Sequence, residues 1–294
     1  MVDFNRGTSG ITLPPDVSAQ VWQSAQEQSA VMRLATRMPL PGRGVAIPVI
    51  TADPEPEWAG ETEMKKVATG AVQTKLLRGY TLAVIVPFSN QFRRDLGQLY
   101  GAIVDRLPGA LARKFDRTVF FGTAPGSDFD TLQGAPSVSV DNVSGTQTAY
   151  DGFLAALASV AAADADLNGW ALSPQGEVIA LSAKDGNDRP LFIDNVQTQG
   201  AIGSILSRPA YRSRAAYDAD SGVVGFGGDW SYAVWGQVED IQISVSEEAT
   251  LTDDEGNTIN LWQQNMFAVR AEFEVGFRVR DVSAFAKLTS SAGS

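Results

Sequence analysis

The sequence predicts a mixed α+β fold: a long helical spine, an extended hairpin-like loop, an α/β lobe and long antiparallel strands. Three observations carry that expectation. After Ser89, the residues Phe92, Leu96, Leu99, Ile103, Leu107, Leu111 and Phe115 recur at three- and four-residue steps, the mark of one long amphipathic helix. From Phe267 to Val279 apolar residues alternate strictly with Ala268, Arg270, Glu272, Glu274, Gly276 and Arg278, the period of a strand with one buried face. Between these two, from Gly169 to Gln264, strand-like and short helical runs follow one another.

The elements read as follows in chain order. Asp16 is placed to cap a short amphipathic stretch through Val17, Val21, Trp22 and Ala25, continuing to Val31, Met32 and Leu34. Ile47–Thr51 reads as a strand, followed by the polar, proline-broken run Asp53–Glu61, and a second strand-like run returns at Leu82–Val86. This is either an extended two-stranded arm or a surface loop over a compact domain. Ser89 is the expected N-cap of the spine and Gly122 its stop, giving a helix about 50 Å long at 1.5 Å per residue. Pro108, inside it, is expected to kink or interrupt it. A second, alanine-rich helix is expected at Tyr150–Ala163, then a strand at Trp170–Pro174, a short helix at Gln175–Ala183 and a turn at Asp185–Asp188. Strands are expected at Val234–Trp235 and Ile241–Val245, an exposed acidic loop at Asp253–Asn257, and a closing strand of about 43 Å from Phe267.

The composition excludes whole classes of chemistry. There is no Cys and no His in 294 residues, so no disulfide, thiol nucleophile, thiolate metal site or imidazole base exists. Carboxylate and lysine chemistry survive, and no cofactor is expected. The net charge of −11 makes the whole molecule a poor ligand for a phosphate backbone. The N-terminus lacks the apolar stretch of a signal peptide, and no apolar run reaches the roughly 18–20 residues that span a bilayer. The chain is therefore expected to fold in the cytoplasm, and Asn142-Val143-Ser144 is a coincidental glycosylation pattern.

Local motifs add no active site. Asp218-Ala219-Asp220-Ser221-Gly222 has the start of a calcium loop but lacks Gly at the sixth position, and its twelfth residue is Asp229 rather than Glu; a polar loop is the better reading. Gly225-Phe226-Gly227-Gly228 lacks the third glycine of a dinucleotide fingerprint and reads as a turn packing its backbone closely. Glu272 and Glu274 share a strand face at a spacing a glycosidase could use. Flanked by Arg270, Arg278 and Arg280, they read as ion-pair partners across strands or subunits.

The order of parts resembles the major capsid protein of tailed phages, the Hong Kong 97-type fold. Trp58-Ala59-Gly60-Glu61 looks like the aromatic-small-Gly-Glu element of that family's extended loop. Val86-Pro87-Phe88-Ser89, then Phe115-Asp116-Arg117 to Phe121-Gly122-Thr123, and Leu132-Gln133-Gly134, look like its spine helix and the turns after it. Trp170–Pro174, Ile179–Leu181, Lys184–Gly186, Pro190–Phe192, Gly228–Ser231, Val234–Gly236 and Ile241–Val245 follow in the family's order, and Arg270 to Leu288 looks like its closing strand. The resemblance covers about Leu13 to Leu288.

The resemblance implies an N-terminal arm at 1–35, an extended loop at 46–88, an axial domain at 165–261 and a tail at 289–294. A peripheral domain would comprise 36–45, 89–164 and 262–288, with its spine helix at 89–121. It implies a structural subunit of a virion shell, assembled in the host cytoplasm from pentamers and hexamers of itself around double-stranded DNA, without sequence-specific contacts, catalysis or a membrane. The implied partners are other copies of the chain, a separate scaffold protein (the arm begins almost at Met1), a portal and a decoration protein. Candidate assembly contacts are Trp58, Glu61, Lys65 and Lys66 on the loop and Arg270, Glu272 and Glu274 on the closing strand. Some relatives crosslink a loop lysine to a neighbour's asparagine; Lys65, Lys66, Asn260 and Asn265 match no such motif. Two other classes stay open: an encapsulin-like compartment of the same fold enclosing enzyme cargo, and a carboxylate-based hydrolase. Gene neighbours discriminate the first and a glycosidase screen the second.

Overall fold

The computed structural model describes residues 29–52, 58, 59, 61, 64, 71–90, 96–141, 148–183, 201–252 and 256–290. The N-terminal expectation up to Ala25, the turn at 185–188 and part of the acidic loop lie outside them.

Ser29 caps helix α1 (Ala30–Leu34) through a bond from the Met32 amide, and the short strand β1 (Thr36–Arg37) follows. Strands β2 (Val45–Ala52) and β3 (Ala71–Leu77) form an antiparallel hairpin running from the pair Val45–Leu77 to Ala52–Ala71. The partner of the first loop strand is therefore 71–77 and not Leu82–Val86. That run belongs to β4 (Tyr80–Ser89), which lies antiparallel to the long strand Met266–Val279, with Leu82 opposite Phe273. Ser89, expected to cap the spine, is the last residue of β4 and sits opposite Met266.

The spine is α2 (Leu96–Phe120), 25 residues or about 38 Å. It is not interrupted at Pro108, although that residue supplies no N–H to the Val104 carbonyl; a bend is what remains of the expectation. After it come β5 (Ser137–Ser139) and α3 (Ala149–Ala161), opened by a reciprocal cap in which the Asp151 carboxylate accepts from the Thr148 amide at 2.8 Å. That amide holds the Asp151 carboxyl below its ordinary range. Next are β6 (Gly169–Leu172), α4 (Pro174–Ser182), β7 (Ala201–Ile205), β8 (Arg208–Arg212) and β9 (Val223–Gly228). The two strands expected at Val234 and Ile241 are one, β10 (Ala233–Ser246). The small pair β11 (Thr250–Thr252) and β12 (Thr258–Asn260) leads into β13 (Met266–Val279). The strand expected from the alternation of Phe267–Val279 is β13; the chain then turns at Val282–Ala284 into β14 (Phe285–Thr289) in a different sheet, so the longer stretch Arg270 to Leu288 comprises two strands.

Two sheets organise these elements. One has the order β1-β10-β13-β4, the other β5-β14-β9-β6-β8-β7. Strand periodicity explains the layers. Phe267, Val269, Ala271, Phe273, Val275 and Phe277 face one core with Leu111, Phe115 and Phe120 of the spine. In the six-stranded sheet, Ala171, Phe226 and Phe285 turn toward that same core. Trp170, Leu172, Val224 and Leu288 turn toward a second one under α3 and α4. Burial on both faces is why β6 and β9 lack polar alternation. The spine spans both sheets: Phe115 meets Phe277 of β13 at 6.3 Å, and Phe120 stacks on Phe226 of β9 at 4.7 Å.

The glycine run expected as a turn is this same β9, fully buried. A Cβ at Gly227 would lie 2.4 Å from the Trp170 ring and one at Gly228 2.4 Å from the Phe285 ring, so the missing side chains make room for aromatic rings.

Candidate assembly surface

Among the described residues the subunit buries most of its large side chains and leaves a few in solvent. Trp58 is fully exposed beyond the hairpin strands, with Met64 and Glu61 exposed beside it in sequence. Lys65 and Lys66 lie outside the described residues. Trp262 is 72% exposed on the turn before β13, a turn fixed by bonds from Gln264 N to the Asn260 carbonyl and from Met266 N to the Leu261 carbonyl. Val84, Ile85 and Val86 stand exposed on β4, an outer strand of its sheet, and Val178 and Leu181 on α4. Large apolar groups left exposed to water are what protein contacts use. Neither Trp262 nor β4 was singled out from the sequence as a contact: Leu82–Val86 of β4 is an apolar run that reads equally well as core, and Trp262 stands with Leu261 before the polar run Gln263-Gln264-Asn265.

The expected ionic contacts of the closing strand are distributed differently. Arg270 and Glu272 pair at 3.0 Å along β13 itself, not across strands. Glu274 stands opposite Glu239 of β10, across a stretch of irregular register. Its side chain fills the space beside Gly79, where a Cβ would approach Oε1 to 2.7 Å. Arg278 pairs with neither glutamate. Its guanidinium donates to Asp130 at 2.8 Å, to Asp128 at 2.9 Å and to the Leu76 carbonyl at 2.8 Å. Arg280 lies over the Tyr232 ring at 4.6 Å.

The calcium-like loop is occupied by protein. Asp218 accepts from Ser221 Oγ at 2.5 Å and from Arg117 at 3.0 Å, and the Ser221 bond, with Arg117 behind it, pulls its carboxyl below the ordinary range. Asp229 caps the turn Trp230–Tyr232 by accepting from Ser231 N at 3.0 Å. Among the described residues no group of three or more acidic side chains could hold a metal ion, and no helix is long and apolar enough to cross a membrane.

A densely cored α+β subunit with large apolar groups exposed is suited to contacts with other chains. The chain belongs to the phage capsid family, whose sequence pattern matches residues 9–290. It is similar to the proteins named "Probable major capsid protein gp17" in Mycobacterium phage L5, at 32% identity over 95% of this chain and 89% of that one, and in Mycobacterium phage D29, at 30% over 95% and 90%. Among solved structures it is similar to a chain from Gordonia phage Cozz, with a TM-score of 0.71 and 26% identity over 90% of this chain and 87% of that one. It is a tailed-phage major capsid protein, a structural component of the virion shell.

Proposed function

We propose that the chain assembles into pentamers and hexamers of an icosahedral shell enclosing double-stranded DNA, in the Hong Kong 97-type arrangement, and that it performs no catalytic step. The observation that carries this is the set of exposed apolar groups on an otherwise well-packed subunit, Trp58 and Trp262 foremost. In this reading the axial domain at 165–261 points to the axis of each ring, and the hairpin β2–β3 with its tip lies over a neighbour. Trp58, Glu61, Lys65, Lys66, Arg270, Glu272 and Glu274 are the proposed contacts. Each contact can be modest, because ring closure raises the effective concentration of the next. The net charge of −11 suits a wall that lies near DNA without adhering to it. A separate scaffold, a portal and a decoration protein complete the particle, built in the host cytoplasm. Shell expansion is a rigid-body rotation, with the spine bending near Pro108.

The test is expression of the full chain, with the phage's scaffold supplied if needed, and negative-stain electron microscopy. Closed shells of uniform diameter are expected. A protein that stays monomeric with scaffold present overturns the reading. Shells that enclose an enzyme encoded by a neighbouring gene, and no DNA in infection, favour the encapsulin-like alternative.

A further inference from the structure

Among the described residues Asp116 is the most deeply buried charged side chain, at 1% exposure, and no proposed assembly contact uses it. It lies on the inner face of α2, one turn from Ala112 and Val119. Its Oδ1 accepts from Ser29 Oγ at 2.5 Å. Its Oδ2 accepts from the Ala30 amide at 3.1 Å and from Ser213 Oγ at 2.7 Å. One carboxylate thus joins three places distant in sequence: the spine, the cap of α1 and the residue between β8 and the turn Arg214–Ala216. We infer that Asp116 is a proton-operated clasp: neutral, it holds α1 and Ser213 against the spine, and ionised, it favours their release.

Among the described residues no ion pair neutralises it. The charged side chains on the elements packed around it are turned away or engaged. Arg113, Lys114 and Arg214 are exposed. Arg117 bonds the Tyr217 carbonyl and Asp218, Arg212 bonds Glu177, and Arg33 lies over the Tyr211 ring. Burial therefore dominates and lifts the Asp116 pKa from 3.8 to about 6, against bonds from Ser29, Ser213, Ala30 and Val31 that favour the charged form. The sign follows. The closed joint binds a proton that an opened, hydrated Asp116 releases, so between about pH 4 and 6 falling pH favours closure and rising pH favours opening. Across that window the opening equilibrium changes roughly a hundredfold. The neutral carboxyl keeps its partners, because its O–H donates to a serine oxygen that has lone pairs free.

Opening exposes Ala30, Val31 and Met32, which are buried in the closed state, so amide exchange reads it directly. Hydrogen exchange on the full chain at pH 4.5 and pH 8, corrected for the intrinsic pH dependence of exchange, is compared for segments 30–34, 213–216 and 149–161. In the wild type the first two segments open roughly thirtyfold more readily at pH 8 than at pH 4.5, the opening constant reaching half its high-pH value at a midpoint near 6, while the third does not change. Asp116→Asn removes the difference. Equal protection at both pH values, or an Asn variant that keeps the difference, overturns the clasp. Should Asp116→Asn fail to fold, Ser213→Ala decides: losing a donor that favours the ionised form moves the midpoint upward, and a midpoint that stays or falls overturns the inference.

Discussion

Arg278 draws its charge inward at the end of β13, only 9% exposed, between two aspartates that follow the spine helix. The Val279 amide also donates to Asp130 at 3.0 Å, so this carboxylate ties side chain and backbone of the strand to the same turn. Truncating one partner of a fully buried ionic joint typically costs about 3–5 kcal/mol; Asp128 and Asp130 are 21% and 22% exposed, so water meets part of the loss here. Lys75 at 3.6 Å from Asp130 and Arg78 at 3.7 Å from Asp128 remain as partial partners. Arg278→Met is therefore expected to cost about 3 kcal/mol, the low end of that range, by denaturant unfolding. In an Asp128→Asn, Asp130→Asn background the same change should cost clearly less, because the groups act as one network. Strand alternation placed Arg278 on the polar face of β13, and that much was legible. Its partners lie 148 and 150 residues earlier, a separation that periodicity does not bridge. Asp116 was hidden differently. It occupies an apolar-face position of α2, and nothing local shows that two serines, 87 and 97 residues away, close over it.

At the scale of elements, β13 is the strand that carries most of the fold, paired to β10 on one side and β4 on the other and covered by the spine. Phe273 is 3% exposed and points into that core. Phe273→Asp removes the ring, worth roughly 3–5 kcal/mol, and buries an unpaired carboxylate, against a typical total of about 5–15 kcal/mol. Loss of soluble protein is expected; a soluble variant with an unchanged melting temperature would mean the ring is not buried as described. The alternation that made β13 readable is strong because one face meets a core and most of the other does not. The hairpin was misread because 71–77 and 82–86 are both strand-like, and apolar pattern alone does not say which pairs with 45–52. The glycines of β9 were misread because their cause is tertiary: the rings of Trp170 and Phe285 need the space. Val234–Trp235 and Ile241–Val245 looked separate because the strand crosses register shifts between Gln237 and Gln242, where alternation lapses without ending the strand.

For the whole molecule, folding and assembly are separable because they draw on different groups. The two cores hold Phe115, Phe120, Trp170, Trp230 and Trp235 at 2% exposure or less, whereas Trp58 contributes nothing to either. If the region beyond β2 is the clamp over a neighbour, Trp58 is its anchor, since a large aromatic seated in a partner's pocket is the usual hot spot. Trp58→Ala should then leave the subunit's stability within about 0.5 kcal/mol, as solvent-facing changes do. It should weaken each intersubunit contact by roughly 2 kcal/mol, about thirtyfold in the contact equilibrium. A ring repeats that loss at every contact, so the effect on closed shells exceeds the effect on any pair of subunits. A thermal melt of the unassembled chain, beside size-exclusion chromatography and electron microscopy with scaffold supplied, separates the two scales. An unchanged melt with few or no shells is the expected result. A melt lowered by many degrees would place Trp58 in the fold of the subunit. Closed shells at wild-type yield would remove it from the contacts and leave Trp262, Val84–Val86 of β4 and Val178 and Leu181 of α4 among the apolar groups available to hold one subunit to the next.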